Sequence, residues 1–193
     1  MKVLGERTEL LKFKAHLLLF KFRIYDLKSR KNMSAILAVA QRGEVILTLK
    51  AASVTALELN SAWLNELAAA MQATMLERNG VGIAAPQVYV SKRVIIVASR
   101  PNPRYPDAPE MDTVVMVNPE ILEKSESTIL GEEGCLSVPN ERGQVARAEM
   151  VRVKYLTLQG ELVETVFHGF PARIVQHEVD HLDGVLFVER IER

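Results

Sequence analysis

The chain lacks several features that would assign it to common classes of protein. It has one cysteine, Cys135, in 193 residues, so an internal disulfide framework is excluded. The apolar run at residues 17–20 is bounded by Lys14 and Lys21 and is too short to span a membrane or to form an ordinary signal core. Repeats and low-complexity segments are absent, and the formal net charge is zero. With 48% hydrophobic and 25% charged residues, the composition indicates one compact domain of ordinary size.

Positive charge is concentrated at the start of the chain. Residues 1–32 contain nine Lys or Arg and three Asp or Glu, whereas the remainder contains 15 and 21. This basic extension is either a mis-assigned or added segment, with Met33 the true start, or an organelle-targeting presequence. The scarcity of serine argues against a presequence. Contact of the extension with RNA or a membrane has no sharper support.

Residues 177–181 read His-Glu-Val-Asp-His, a pattern typical of half a catalytic metal site. Residues four apart in a helix lie on one face, so His177 and His181 can bind one ion. Glu178 stands beside them, placed to move a proton rather than to bind the metal. A catalytic site usually has three protein ligands and a water, so a third ligand is needed.

The downstream sequence does not supply that ligand. One protease class has a third His six residues after the second, where this chain has Phe187. Another class uses a Glu much further along the chain, and Glu189 and Glu192 lie too close to fit. The third ligand is therefore expected upstream, and the candidate is Cys135. A lone cysteine is more often a small buried hydrophobe, but the incomplete histidine pair favours metal binding.

Residues 80–87 form a glycine-rich segment, Gly-Val-Gly-Ile-Ala-Ala-Pro-Gln. A phosphate-binding loop is excluded because no Lys followed by Ser or Thr comes after the second glycine. Together with Glu-Gly-Cys-Leu-Ser at 133–137 and His-Glu-Val-Asp-His-Leu-Asp-Gly at 177–184, it closely resembles the signatures of the peptide deformylase family, GxGLAAPQ, EGCLS and HExxHLxG. Ile83 stands where leucine is usual. The resemblance extends from about Met33 to the C-terminus, so we expect a catalytic domain at residues 33–193.

The resemblance implies that the chain hydrolyses the N-formyl group from the N-terminal formylmethionine of newly synthesised polypeptides and releases formate. The metal ligands would be Cys135, His177 and His181. The resemblance also implies ferrous iron as the native metal, with zinc, nickel or cobalt able to replace it. The ligand types alone would not select iron, since mixed sulfur and nitrogen ligands suit zinc equally well.

The resemblance further implies roles for residues around the metal. Glu178 would take a proton from the attacking water and deliver it to the departing amine, help that is typically worth roughly 10²–10⁴ in rate. The Gln87 side chain and the backbone N–H of Leu136 would stabilise the oxyanion. An extended peptide would pair with the backbone by strand addition, and the residues expected to contact it are Gly82, Ile83, Gly134 and Arg142. Arg142 is equally compatible with a solvated charge in a turn.

Partners and location follow from the same resemblance. We expect a cytoplasmic monomer that acts on nascent formylmethionyl peptides and has no direct nucleic-acid or membrane contact. An organellar location would apply if residues 1–32 were a genuine presequence. Only nine residues follow Gly184, where many bacterial members carry a further helix, so transient ribosome association stays open. Arg173 stands where an apolar residue of the methionine pocket is expected, and either extends to solvent or narrows the pocket.

The pattern of apolar and turn residues predicts an α+β fold, with antiparallel β-sheets packed around a central helix that carries the HExxH motif. A first helix capped by Asn60 or Ser61 is expected to run to about Arg78. The second helix is expected to begin near Pro171 and to end at Gly184. Strands are predicted at residues 114–117, 150–158 and 162–167, with a turn at 159–160 and an exposed proline-rich loop at 101–106.

Two alternatives remain from the residues alone. A zinc peptidase of another class would need the missing downstream ligand. A non-catalytic metal-binding paralogue would need four closed protein ligands, and His168 is the candidate for the fourth. Retention of Glu178 and Gln87 would then be unexplained.

Overall fold

The computed structural model describes residues 35–191 of the chain. The basic extension at residues 1–32 and the candidate start at Met33 lie outside these described residues. The described part contains seven β-strands and two α-helices, which are, in chain order, α1 Ala62–Glu77, β1 Gly82–Ala84, β2 Val94–Val97, β3 Val114–Lys124, β4 Thr128–Cys135, β5 Val138–Ala148, β6 Met150–Leu156, β7 Leu162–His168 and α2 Gly169–Leu182. None of the described helices is long and apolar enough to cross a membrane.

The strands form two antiparallel sheets. Five strands pair in the order β1-β2-β3-β6-β7, and β4 pairs with β5 in a separate two-stranded sheet. The register of β3 on β6 shifts between Val117 and Glu120, where Asn118 has a φ of 51° and Pro119 has no N–H to donate. Helix α2 contacts strands of both sheets, so the predicted α+β class is confirmed.

Helix α1 follows its sequence pattern closely. The Ser61 side chain accepts a hydrogen bond from Leu64 N at 3.2 Å, which satisfies one of the free N–H groups of the first turn. The predicted apolar stripe is buried, and its members are Leu64, Leu67, Ala68, Met71 and Met75. Asn79, with a φ of 53°, turns the chain out of the helix toward β1.

The last two strands deliver the chain to α2. Gly160, with a φ of +90°, closes the predicted hairpin turn between β6 and β7. Helix α2 begins at Gly169, two residues before Pro171, and ends at Leu182 just before Gly184. Its apolar face packs on the five-stranded sheet in a core that includes residues such as Val175, Leu182, Ile95 and Val153. The side of α2 that carries the two histidines therefore faces the two-stranded sheet and the first motif.

Sequence reasoning missed the β4–β5 hairpin, and it did not predict β1 or β2 as strands either. Several side chains of the hairpin are exposed at the start of β4, including Ile129 and Leu130, so β4 lacks the alternation that marks a half-buried strand. The proline-rich loop was predicted only in part. Its prolines are exposed, whereas Arg104 and Tyr105 are half-buried and turn toward the hairpin.

Candidate metal centre

Three candidate ligands from two elements meet in the interior. Cys135 is the last residue of β4, and His177 and His181 lie on successive turns of α2. One ligand atom from each lies within 4.8 Å of the others, and all three residues are buried. Cys135 Sγ is 3.2 Å from His181 Nε2, and the two imidazole centroids are 5.1 Å apart. His168 is exposed at the N-terminus of α2 and lies outside this group.

The charge states of the group suit a divalent transition metal. Burial by itself raises the pKa of the Cys135 thiol, but the adjacent His181 and His177 outweigh it and hold that pKa well below its ordinary value. The thiolate is the form that binds metals. A thiolate with two imidazoles is a donor set that zinc and other first-row divalent ions accept. The residues present therefore fit the metal that the sequence motifs imply.

A buried carboxylate fixes the orientation of His177. Glu133 Oε2 lies 2.9 Å from His177 Nδ1, which leaves Nε2 as the nitrogen that faces Cys135 and His181. Arg147 donates to both oxygens of Glu133 at 2.9 and 3.0 Å. Burial raises the pKa of Glu133, but the hydrogen bonds from His177 and Arg147 outweigh it and hold that pKa far below its ordinary value. Sequence reasoning missed this role, although Glu133 opens the Glu-Gly-Cys-Leu-Ser segment.

Glu178 is placed as an isolated acid in the same interior. Its side chain is 4% exposed, and its Oε2 has no hydrogen-bond partner within residues 35–191. Burial raises the pKa of Glu178 to about 7, against the opposing effect of His177 and His181. A carboxyl group that titrates near neutrality can both accept and return a proton.

Gly82 makes room for this carboxyl group. A Cβ atom at residue 82 would collide with Glu178 Oε1 and would lie 2.7 Å from Ile174 Cγ2. Gly82 is thus required at this position by close packing against α2. The glycine of the first motif and the glutamate of the third are direct neighbours.

Gln87 holds an amide group beside the thiol. It lies in the short 3-10 helix Ala85–Val88, and its Oε1 accepts a hydrogen bond from Ala84 N at 2.9 Å. Its Nε2 then donates to Ser137 Oγ at 3.1 Å and to Cys135 Sγ at 3.4 Å. The side chain is therefore locked with its donor directed at the centre, as oxyanion stabilisation requires.

A pocket opens onto this centre from solvent. Seven of the ten predicted site residues line it, and these are Gly82, Gln87, Gly134, Cys135, Leu136, His177 and Glu178. His181 is buried behind the wall, and Ile83 is fully buried in β1, where it pairs with Ile96. Arg142 lies outside the lining, paired with Gly134 across the hairpin and 2.8 Å from Glu132. Further lining residues that sequence reasoning missed are Arg104, Tyr105 and Phe170.

Arg173 also lines the pocket, but it does not extend to solvent. Its side chain is buried, and its Nη1 donates to Glu133 Oε1 at 2.8 Å. The alternative in which Arg173 extends outward is therefore wrong. A single residue type at one position of a helix does not reveal a partner on a distant strand, so no sequence signal could have identified this contact.

Comparisons with known proteins agree with this geometry. A family model described as polypeptide deformylase matches residues 36–193. Peptide deformylase 2 of Nostoc sp. is 48% identical over 157 residues, which are 81% of this chain and 87% of that protein. A crystal structure of a class I type b peptide deformylase from Acinetobacter baumannii with Met-Ala-Ser bound has a TM-score of 0.81 and 81% identity, covering 82% of this chain and all of that one. Peptide deformylase from Thermotoga maritima has a TM-score of 0.73 at 35% identity, over 82% of this chain and 99% of that one.

Proposed function

The chain belongs to the peptide deformylase family, and from this premise we propose how its own residues carry out the reaction. The protein is a hydrolase that removes the N-formyl group from newly synthesised peptides. Water adds to the formyl carbon, the C–N bond breaks, and formate and a free N-terminal amine leave. The convergence of Cys135, His177 and His181 beside Glu178 in one pocket is the main support for the roles proposed for these residues.

We propose that Cys135 Sγ, His177 Nε2 and His181 Nε2 bind a divalent metal ion. Ferrous iron is proposed as the native ion, with zinc, nickel or cobalt able to replace it. The choice of iron rests on the family resemblance, because the donor set by itself suits zinc equally well. When bound, the ion would activate water at neutral pH and polarise the formyl carbonyl group.

Glu178 is proposed to transfer the proton. Its free carboxylate oxygen accepts a proton from the attacking water and then returns it to the nitrogen of the departing amine. A pKa of about 7 suits both directions of transfer near neutral pH. Because Gly82 leaves no room beside Glu178 Oε1 for any further group, the carboxyl position is closely restricted.

Gln87 Nε2 and the backbone N–H of Leu136 are proposed to stabilise the negative charge on the former carbonyl oxygen. Gln87 is already oriented by Ala84 and Ser137, and the N–H that donates to Cys135 Sγ at 3.4 Å is the one proposed to turn to the oxyanion. Preorganised donors of this kind are each typically worth on the order of 10²–10³ in turnover.

The formylated peptide is proposed to lie across the pocket mouth, with its backbone pairing to Gly82 and Gly134 and with Arg142 at the rim. Ile83, buried in β1, would contribute only backbone to this contact. The related Acinetobacter enzyme holds Met-Ala-Ser. In this chain, Val81, Phe170 and Ile174 offer an apolar wall for a methionine side chain.

The setting of the enzyme is also a proposal. We infer a monomer in the cytoplasm that meets nascent chains near the ribosome, with at most transient contact to it and no direct binding to nucleic acid or membranes. The zero net charge supports the absence of nucleic-acid binding. An organellar location would follow if residues 1–32 proved to be a cleaved presequence.

The test is an assay of formate release from formyl-Met-Ala-Ser by protein purified anaerobically and loaded with ferrous iron or nickel. Rapid release is expected, and it should be abolished by a chelator and absent with acetyl-Met-Ala-Ser. Failure to release formate with one metal ion bound per chain would overturn the proposed catalytic roles. Failure to bind any metal would overturn the three-ligand site. Cleavage of unformylated peptides would instead support a peptidase.

A further inference from the structure

We propose that Arg173 is a positioning residue that fixes the β4–β5 hairpin against α2 and so maintains the spacing between Cys135 and the two histidines. This inference rests on the metal site proposed above and adds a determinant of metal retention to it. Arg173 contributes no metal-binding atom, and it acts through the backbone and side chains that it contacts.

One guanidinium group holds both strands of the hairpin. Arg173 Nη1 donates to Val145 O on β5 at 2.7 Å and to Gly131 O on β4 at 3.2 Å. Its Nη2 donates to Ile129 O, also on β4, at 2.5 Å. Three backbone carbonyl groups of the hairpin are thus bound by a single side chain of α2.

The hairpin is shaped to receive this group. A Cβ atom at residue 131 would lie 2.8 Å from Arg173 Nη2 and 2.9 Å from its Cζ, so a larger residue at this position would require the guanidinium to move away from the strand. Gly131 is also the direct partner of Val145 in the β4–β5 ladder. Both strands therefore form the binding site for the Arg173 guanidinium. A different β4–β5 register would move these carbonyl groups apart, so the contact depends on this pairing.

The same guanidinium reaches the carboxylate that orients a metal ligand. Arg173 Nη1 and Arg147 Nε both donate to Glu133 Oε1, at 2.8 and 2.9 Å, while Glu133 Oε2 lies 2.9 Å from His177 Nδ1. Arg173 precedes His177 by four residues, so the two lie on one face of α2. Glu133 precedes Cys135 by two residues on β4. Arg173 thereby connects the strand that carries the thiol to the helix turn that carries the imidazole.

Arg147 and Arg173 both bind Glu133, but they make different further contacts. Arg147 is on the hairpin itself and binds Glu133 through two nitrogens, so Glu133 keeps a cationic partner when Arg173 is removed. Gln176 of α2 also donates to a hairpin carbonyl, Ala148 O at the end of β5, at 2.9 Å, whereas Arg173 binds carbonyl groups of both β4 and β5. We therefore expect the loss of Arg173 to loosen the docking of the hairpin without exposing an unpaired buried carboxylate, which would be strongly destabilising.

Arg190 provides a matched control. It belongs to the same group of ion pairs, because it donates to both oxygens of Asp180 at 2.7 and 2.8 Å, and Asp180 binds Arg147. Its side chain contacts neither Glu133 nor the carbonyl groups that Arg173 holds. Arg190→Met thus removes an ion pair from the network and leaves the contacts of Arg173 with the hairpin intact.

The test measures metal release from intact protein loaded with nickel. Wild type, Arg173→Met and Arg190→Met are mixed with excess chelator, and transfer of nickel is followed by absorbance together with the thermal unfolding midpoint. Arg173→Met is expected to release the metal roughly 10–100-fold faster, as is typical when an outer partner of a metal ligand is lost. Arg190→Met should lower the unfolding midpoint but release nickel at the wild-type rate.

Equal release rates for Arg173→Met and wild type would overturn the inference. So would an equal acceleration in Arg190→Met, because general destabilisation would then explain the effect. Should Arg173→Met fail to fold, Arg173→Lys decides the matter: one ammonium group cannot span the carbonyl groups of both strands, so faster release is expected and a wild-type rate refutes the proposal. A wild type that binds no metal would refute the site itself, an outcome distinct from variants that bind metal and release it normally.

Discussion

The Tyr105 hydroxyl lies against both backbone polar groups of Gly134. Gly134 N donates to the hydroxyl oxygen at 3.3 Å, and the hydroxyl donates to Gly134 O at 3.4 Å. The Tyr105 ring is held in place by Phe170, with centroids 5.2 Å apart, and by the Arg142 guanidinium 5.0 Å from its centroid. A side chain of the proline-rich loop thus occupies the backbone groups of β4 at which we propose that the peptide pairs.

Tyr105→Phe is expected to lower KM for formyl-Met-Ala-Ser and to leave kcat unchanged. Strand addition at Gly134 must displace the hydroxyl, whereas the phenylalanine ring keeps the packing and removes the competing hydrogen bonds. Since a hydrogen bond contributes about 0.5–1.5 kcal/mol net, the decrease should be about two- to tenfold. Steady-state kinetics measures it, with Tyr155→Phe, outside the pocket lining, as the control. A higher KM in Tyr105→Phe would mean that the hydroxyl binds the substrate.

Glu178→Ala and Cys135→Ala should separate proton transfer from metal binding. Glu178→Ala is expected to retain one metal ion per chain and to lose roughly 10²–10⁴ in kcat, because only the proton acceptor is removed. Cys135→Ala is expected to lose the metal, and activity with it. Elemental analysis beside formate release distinguishes the two cases. Near-normal turnover in Glu178→Ala would exclude the proposed proton transfer.

In the metal-free protein, the contribution of Glu178 to stability should be lost as the pH rises through the titration of this group. Its pKa is raised from 4.5 to about 7 on folding, so the folded state binds this proton more tightly than the unfolded state does. The favourable contribution is therefore complete below pH 4.5 and is lost between pH 4.5 and 7. A change of one pKa unit corresponds to about 1.4 kcal/mol, so the loss in the free energy of unfolding is of order 3 kcal/mol.

Urea unfolding of metal-free wild type and Glu178→Gln at several pH values checks this expectation. The variant has no titrating group at this position, so its stability relative to wild type should increase from pH 4.5 to 7 and then stay constant. Substitution of the exposed Glu66 by glutamine is the control and should produce no comparable trend. A constant difference between Glu178→Gln and wild type would contradict the assigned titration.

Gly82→Ala is expected to reduce kcat/KM about a hundredfold, as is typical when a reacting group is displaced by about an ångström. The added methyl group would occupy the space of Glu178 Oε1 and press on Ile174. Gly43→Ala is the matched control: its φ of +98° strains alanine, but nothing lies within 4 Å of the new Cβ. Gly43→Ala should lower stability by about 1 kcal/mol and leave activity unchanged. Normal activity in Gly82→Ala would show that displacement of the Glu178 carboxyl group does not affect catalysis.

The sequence predicted those features that depend on short periodic spacing. The four-residue interval between His177 and His181 places both on one face of a helix, and the stripe ending at Met75 identifies the buried side of α1. The order of the three motifs suggested that Cys135 completes the site, and the structure brings its Sγ within 4.8 Å of the histidines. Local pattern was sufficient because each of these statements involves one element or one motif.

Contacts between elements could not be predicted in the same way. An apolar residue of the methionine pocket is expected from the sequence at the position of Arg173. The partners of Arg173 in the structure lie on β4 and β5, 28 to 44 positions earlier in the chain. Ile83 was expected to pair with the peptide through its backbone, which stays a prediction, and the burial of its side chain in β1 was not foreseen. Tyr105 belongs to a loop whose prolines predict exposure. In each case the outcome depends on which element packs above the residue, information that a single sequence does not contain.

The Cys135 thiol lies on the β4–β5 hairpin, and both imidazoles lie on α2. Because of this arrangement, we expect the amount of folded protein in a cell to depend on the supply of metal. The folded chain assembles the three proposed donors and the unfolded chain does not, so a metal ion bound there would shift the folding equilibrium toward the folded state by mass action. At a free ion concentration a hundred times the dissociation constant, binding adds about 2.7 kcal/mol to the free energy of unfolding. The total free energy of unfolding of a small domain is only about 5–15 kcal/mol. A cell depleted of the metal would therefore hold less intact enzyme, because the unliganded chain is exposed more often to proteolysis.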